Sequence, residues 1–376
     1  MHGKPLARMT HRKLPRTWAE LNPAALQHNV AAVQAHVGNG VGIMAVVKAN
    51  AYGHGVAQVV QALASKVQMF AVANLTEAIE VRELTPTHPI LLLSPGAPSE
   101  RAEIETHGLI PMISSVDEAA AYSQLSRTRR IPVHLKIDTG MGRMGIWHED
   151  AISAVREMRA LHGIEITGIA THLPVADEDE EFTRAELEMF HRISRTLREE
   201  EGLAHAKIHA CNSAGAIGYP EFAGDFIRLG LAMYGSSPIP SFQSQLRAAL
   251  TWKATVTLVR DVGAGRGVSY GRTFVTPRPM RIATIAVGYA DGYPRHLSNQ
   301  GAEVIIGGVR CAVLGRVTMD QILADVTSLT DCAAGDEVTL MNDDIPAHEL
   351  AAKSGTIPWE IYTGIGRRVE RLQKKP

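Results

Sequence analysis

The chain has 376 residues, is 45% hydrophobic and 20% charged, and carries a formal net charge of -1 at pH 7. That size allows one or two domains with a sizeable core, and the balanced charge excludes a global attraction to nucleic acid or an anionic membrane. The cysteines Cys211, Cys311 and Cys332 are odd in number and far apart, which excludes a disulfide framework or a zinc site built on Cys pairs and leaves a reducing cytoplasm as the expected compartment.

Residues 1–16 are basic but have no apolar h-region, so they read as an N-terminal arm and not as a secretory signal. No apolar run is long enough to span a bilayer. Asn22 and Pro23 supply cap and first-turn signals for a helix over 22–37. Short apolar, β-branched runs then alternate with helical stretches. The runs are GIMAVVKA (42–49), MFAVAN (69–74), PILLLS (89–94), LIPMIS (109–114), PVHLKID (132–138), EITGIATH (165–172), KIHACNS (207–213) and DFIRLG (225–230). Between them lie amphipathic helices such as 56–67 and 182–201.

Strand–helix alternation predicts a parallel sheet. Eight such units suit an α/β fold of the (β/α)8 TIM-barrel type, for which about 250 residues is typical, with a doubly wound open sheet as the rival. SSPIPSFQSQ (236–245) reads as a linker. After it, Gly- and Pro-punctuated β runs follow without intervening helices, plus one short helix over 346–355. The expected organisation is therefore an arm at 1–16, a barrel at 17–240 and an all-β C-terminal domain at 241–376.

On this map the polar residues gather at strand ends. Lys48 follows strand 1, Lys136 lies in strand 5 with Arg143 in the loop after it, His172 ends strand 6, Asn212 and Ser213 end strand 7, and Arg228 is near the end of strand 8. Barrel active sites form at that C-terminal face. Lys48 follows the apolar AVV, and a buried lysine is costly unless it is paired or neutral. A Schiff base with pyridoxal phosphate resolves that cost. A lysine reaching from a strand end to water is the ordinary alternative.

AVVKANAYGHG, HLKIDTGMGRMG, THLPVADE, ACNSAG, IRLGLAMYG, GVSYGRTF, VGYADGYPR and GRVTMDQ, in that order, resemble segments of the alanine racemases. The resemblance runs from about residue 17 to 371. It implies a pyridoxal 5'-phosphate-dependent isomerase that interconverts L- and D-alanine and supplies D-alanine for peptidoglycan. It also implies a barrel, a C-terminal β domain and a homodimer with shared active sites.

Carried over by residue, Lys48 forms the internal aldimine and is the base on one face, while Tyr270 of the partner subunit is the base on the other. Arg143 and the Met319 backbone N–H bind the substrate carboxylate. Tyr52, Ser213, Gly230 and Leu231 hold the phosphate, Arg228 faces the pyridine nitrogen, and His172 orients Tyr270 and Arg228. Asn212, Tyr289 and Asp320 stand behind these contacts or at the mouth of the site. Lys136 matches a lysine often carbamylated in the family, with an ion pair to Asp138 or a neighbour as the equal alternative. No metal is implied. Because a tyrosine has an ordinary pKa of about 10, a nearby cation such as His172–Arg228, or the cofactor, is expected to lower it.

Thr318 stands where relatives often carry cysteine, and Arg367 where many carry a tyrosine that narrows the pocket. Serine or broader specificity is therefore the alternative to strict alanine use. Remote alternatives have weaker support. GMGRMG (140–145) after a strand matches G-x-G-x-x-G and would suggest an NAD-dependent oxidoreductase. A non-catalytic pyridoxal-phosphate carrier would lack the C-terminal β segments, and amino-acid decarboxylases of similar barrel usually carry a cysteine-bearing C-terminal motif not found here. The acidic run 176–181 reads as a loop capping the next helix.

Overall fold

The computed structural model describes residues 15–374. Most of the expected arm, residues 1–14, lies outside the described residues. Two compact units are present among the described residues, one spanning Leu21–Ala249 and the other Leu250–Leu372 together with residues 15–20.

The first unit is the barrel. Its strands are β1 (Gly42–Val46), β2 (Met69–Val72), β3 (Ile90–Leu92), β4 (Ile110–Ile113), β5 (Ile131–Asp138), β6 (Ile164–Ala170), β7 (Lys207–His209) and β8 (Phe226–Leu229). Neighbours pair in parallel from β1 to β7. The open-sheet rival falls on two further contacts. β8 pairs in parallel with β1, and Asp225 N and Arg228 N donate to the carbonyls of Ile208 and Cys211 at 2.8 and 2.9 Å, so hydrogen bonding runs round the ring. β2 and β3 are buried at every position because helices cover the outside and side chains fill the inside. At the closing seam Gly42 lies against Phe226, since a Cβ there would stand 2.3 Å from the Phe226 ring.

The helix predicted over 22–37 forms at Pro23–Val37, with the Asn22 side chain accepting from Ala25 N at 3.2 Å. The SSPIPSFQSQ segment is not a free linker. It folds into a 3-10 turn, Pro240–Gln245, within the barrel unit. Phe242 is buried, Gln243 Oε1 accepts from Ser237 N, and Gln243 Nε2 donates to Gly235 O. Composition suggested a linker because the polar side chains that satisfy this turn are the same types that solvate one.

The second unit is antiparallel. Its main strands are β9 (Leu250–Val262), β10 (Met280–Ile285), β11 (Glu303–Ile306), β12 (Val309–Ala312), β13 (Ile322–Asp325) and β14 (Glu337–Met341). β9 pairs with β14 along its first half and with β10 along its second, changing partners at a bulge near Val256 and Leu258. The strand Thr17–Leu21 joins this sheet. Besides the expected short helix (Ala347–Ser354), a second forms at Pro358–Gly364, whose proline at the first helical position was the available signal. Among the described residues no helix is long and apolar enough to cross a membrane.

Candidate active site

Lys48 opens a left-handed turn. Ala49, Asn50, Ala51 and Tyr52 all have φ between 51 and 53°, a conformation that costs an L-residue about 1–2 kcal/mol each. Such strain persists only where surrounding contacts impose it. The contacts are visible: Glu77 Oε1 accepts from Ala49 N at 2.7 Å and its Oε2 from Ala73 N at 2.9 Å, while Asn50 Oδ1 accepts from Val56 N. Replacing the half-buried Glu77 with alanine is expected to cost about 1–2 kcal/mol in chemical denaturation, because two charge-assisted bonds are lost, one to the strained turn at Ala49 N and one to Ala73 N. An unchanged midpoint would show that the turn does not depend on Glu77.

The turn presents Lys48 to two cations. Burial, then Arg143, then Arg228 hold its amine below the ordinary lysine range, with Glu77 opposing them. Such an amine is more readily neutral and therefore nucleophilic.

Arg228 is 4% exposed, and among the described residues no carboxylate pairs with it. Its charge is held by other acceptors. Nη1 donates to His209 O and Nδ1 (2.7 and 2.9 Å), and Nη2 to Thr171 O, Ala210 O and His172 Nδ1 (2.8, 2.7 and 3.1 Å). Burial pushes its pKa down to about 10, so it remains a cation at neutral pH. These bonds assign the tautomers: His172 carries its proton on Nε2, and His209 Nε2–H donates to His134 Nδ1 at 2.8 Å. Burial and then Arg228 hold His172 well below the ordinary histidine range. His172 is thus a neutral donor, and the cation expected from the His172–Arg228 pair is Arg228 alone.

Lys136 is 4% exposed and its amine is held well below the ordinary range by burial and then by Arg228. The expected ion pair with Asp138 does not form, because that carboxylate is committed elsewhere. Its Oδ1 accepts from Gly140 N and Gly142 N, and its Oδ2 from Arg143 N, at 3.0–3.2 Å. Although burial opposes ionisation of Asp138, the amides of Gly142, Gly140 and Arg143 hold it below the usual carboxylate range. The same bonds remove the dinucleotide reading of GMGRMG: the amides that would cradle a pyrophosphate already hold Asp138. Arg143 itself is exposed on this braced turn.

A buried neutral lysine burdens the fold, which gives a test. Between its lowered folded pKa and the ordinary 10.5, the unfolded chain binds more protons at Lys136, so stability rises with pH across that window. In the unmodified chain, Lys136→Met should flatten the rise and add about 1–3 kcal/mol at neutral pH. Unfolding midpoints measured across pH check both, and a destabilised variant would contradict them.

Tyr52 and Ser213 meet at Gly230. A Cβ on Gly230 would stand 2.8 Å from Tyr52 Oη, and Ser213 Oγ accepts from Gly230 N and Ala232 N at 3.1 and 3.3 Å, leaving its own proton to donate. Tyr52 stacks on Tyr234, and burial pushes its pKa up to about 12, so it stays a donor. Leu231 opens the 3-10 turn Leu231–Tyr234 directly after Gly230, and Asn212 caps the short helix Ser213–Gly218 through Gly215 N. An amine of lowered pKa, two hydroxyl donors and a close approach of Tyr52 to Gly230 fit an aldehyde bearing a phosphate.

Tyr270, Met319, Tyr289 and Asp320 belong to the second unit. Tyr270 is 72% exposed on a turn whose Ser269 and Arg272 adopt positive φ. Met319 is exposed, and among the described residues no acceptor bonds its N–H. Thr318 fixes this turn by donating to Gln321 O at 2.7 Å and accepting from Gln321 N at 3.1 Å. Tyr289 N donates to Thr318 O, and Asp320 accepts from Arg368.

The model of the alanine racemase N-terminal domain matches residues 21–238, and that of the C-terminal domain matches 249–373. The chain belongs to the alanine racemase family. It is an isomerase of that family. An alanine racemase of Halothermothrix orenii is 39% identical over 95% of this chain and 97% of its own length. The structure of alanine racemase from D-cycloserine-producing Streptomyces lavendulae matches with a TM-score of 0.88 at 33% identity, covering 96% of this chain and 98% of that one. The Bartonella henselae alanine racemase, described with covalently bound pyridoxal phosphate, matches at 0.87 and 29% identity, covering 96% and 100%.

Within this racemase fold, the carbonyl acceptors of Arg228, the His209–His134 pair and Glu77 escaped sequence reasoning. Glu77 had a signal: Asn74-x-x-Glu77 reads as a capping box, and Asn74 Oδ1 does accept from Glu77 N. His134 and His209 lie 75 residues apart, and no local pattern joins them.

Proposed function

We propose that the chain interconverts L- and D-alanine with pyridoxal phosphate held on Lys48, and that Lys48 and Tyr270 are its two acid/base groups. The observation that carries this reading is Lys48 itself, a strained-turn amine held below its ordinary pKa beside Arg143 and Arg228. When bound, the cofactor makes the alanine Cα–H acidic enough to ionise.

The chain's own residues do the rest. Lys48 Nζ removes or returns the Cα proton on one side, and Tyr270 Oη, from a second copy of the chain, does so on the other. The Arg143 fork binds the alanine carboxylate, joined by the unpaired Met319 N–H of that second copy. Tyr52, Ser213, Gly230 and Leu231 hold the phosphate, with Asn212 behind them. Arg228 would face the pyridine nitrogen of the bound cofactor, and as a permanent donor it would keep that nitrogen unprotonated and the ring a weaker electron sink. His172 Nε2–H orients Tyr270, and Tyr289 and Asp320 line the approach.

A neutral buried amine is the state that adds carbon dioxide, so Lys136 is read as carbamylated, positioning Arg143. The reading includes a homodimer with shared sites and production of D-alanine for peptidoglycan. Three buried free cysteines support a cytoplasmic setting. The exposed Arg367 favours acceptance of serine or larger side chains beside alanine.

Incubating the pyridoxal-phosphate-loaded protein with L-alanine in D2O should give D-alanine deuterated at Cα by chiral analysis, with L-serine compared in parallel. Alanine that stays L and undeuterated would remove the alanine assignment.

A further inference from the structure

The helix Glu180–Glu199 packs a stripe of Thr183, Leu187, Phe190, Ser194 and Leu197 onto the barrel. Glu186, 2% exposed, occupies a position in that stripe, and a buried carboxyl on an apolar face calls for a reason. Thr139 Oγ1 donates to Glu186 Oε1 at 2.7 Å and lies 2.6 Å from Thr171 Oγ1. Thr139 has one hydroxyl proton. With that proton given to Glu186, Thr171 must donate to Thr139, and the direction of the whole chain is set.

The relay joins two strand ends that carry site residues. Thr139 follows Asp138, whose carboxylate braces the Gly140–Arg143 turn. Thr171 precedes His172, and its carbonyl accepts from Arg228 Nη2. Glu186 Oε2 is buried without a partner. Burial raises its pKa, opposed by the Thr139 bond and Lys136, with Asp138 acting in the same direction as burial.

We propose that Glu186 is a positioning residue: its carboxyl terminates a Thr171–Thr139–Glu186 hydroxyl relay that fixes the ends of β5 and β6, and through them Arg143 and the His172–Arg228 contact. This rests on the reading of Arg143 as the alanine-carboxylate ligand.

The test uses the full, pyridoxal-phosphate-loaded protein. Thr139→Val and Glu186→Met should each raise KM for both alanine enantiomers about tenfold with kcat changed less than about threefold, since displacing a positioned group by fractions of an ångström has effects of that order. Combined, they should be no worse than either alone, because both break one relay. Glu186→Gln, whose amide oxygen still accepts from Thr139, should return KM to the parent value. A purely structural role would lower the unfolding midpoint without this split or rescue. If Glu186→Met does not fold, Thr139→Ser against Thr139→Val decides, with only the serine retaining the parent KM. Equal KM values for Glu186→Gln and Glu186→Met, for Thr139→Ser and Thr139→Val, or additive losses, would overturn the relay. A parent protein that fails to racemise alanine would instead remove the underlying reading.

Discussion

Lys48→Ala is expected to reduce racemisation in both directions by about 10,000-fold or more, the scale on which removal of a group that is both covalent anchor and proton carrier acts. The loss should be chemical and not structural. Lys48 follows a strand and its side chain joins no ion pair among the described residues, while the turn is held by Glu77 and Asn50 through other atoms. The unfolding midpoint should therefore hold or rise, as a desolvated amine is removed. In the parent protein, cofactor capture should rise with pH and level off below 10.5, because the amine loses its proton earlier than an ordinary lysine. Retention of a tenth of parental turnover in the alanine variant would contradict the role.

Arg228→Leu should produce the largest loss of stability, about 3–5 kcal/mol in chemical denaturation, the usual cost of removing one side of a buried charged network. The guanidinium satisfies three carbonyls and two imidazole nitrogens at once. Leucine leaves those five acceptors buried, and also releases the His172 and His209 tautomers. Arg228→Lys should recover only part, since an ammonium has three donors and no planar fork. A leucine variant within about 1 kcal/mol of the parent would mean the acceptors find other partners, such as water, at little cost.

The barrel was readable in the sequence because its strands are apolar at nearly every position and its helices amphipathic, two periods that differ sharply. Polar residues at strand ends could be placed for the same reason, since the fold sends strand ends to one rim. What could not be read depends on contacts distant in sequence. KANAY has no glycine and looks like an ordinary helical start, yet it turns left-handed because Glu77, on another element, holds its first amide. Lys136 and Asp138 look like an ion pair by spacing, but the glycine turn claims the carboxylate. Glu186 reads as one more helix glutamate until the burial of its face is known. At Pro240–Gln245, polar composition misled because the hydrogen bonds close on the segment itself.

The central claim is that two bases act on opposite sides of Cα. The most direct measurement is deuterium washout from Cα-deuterated L- and D-alanine, followed separately, by Tyr270→Phe loaded with pyridoxal phosphate. The account predicts that washout from one enantiomer is lost while washout from the other, served by Lys48, persists. Equal washout from both enantiomers would contradict it.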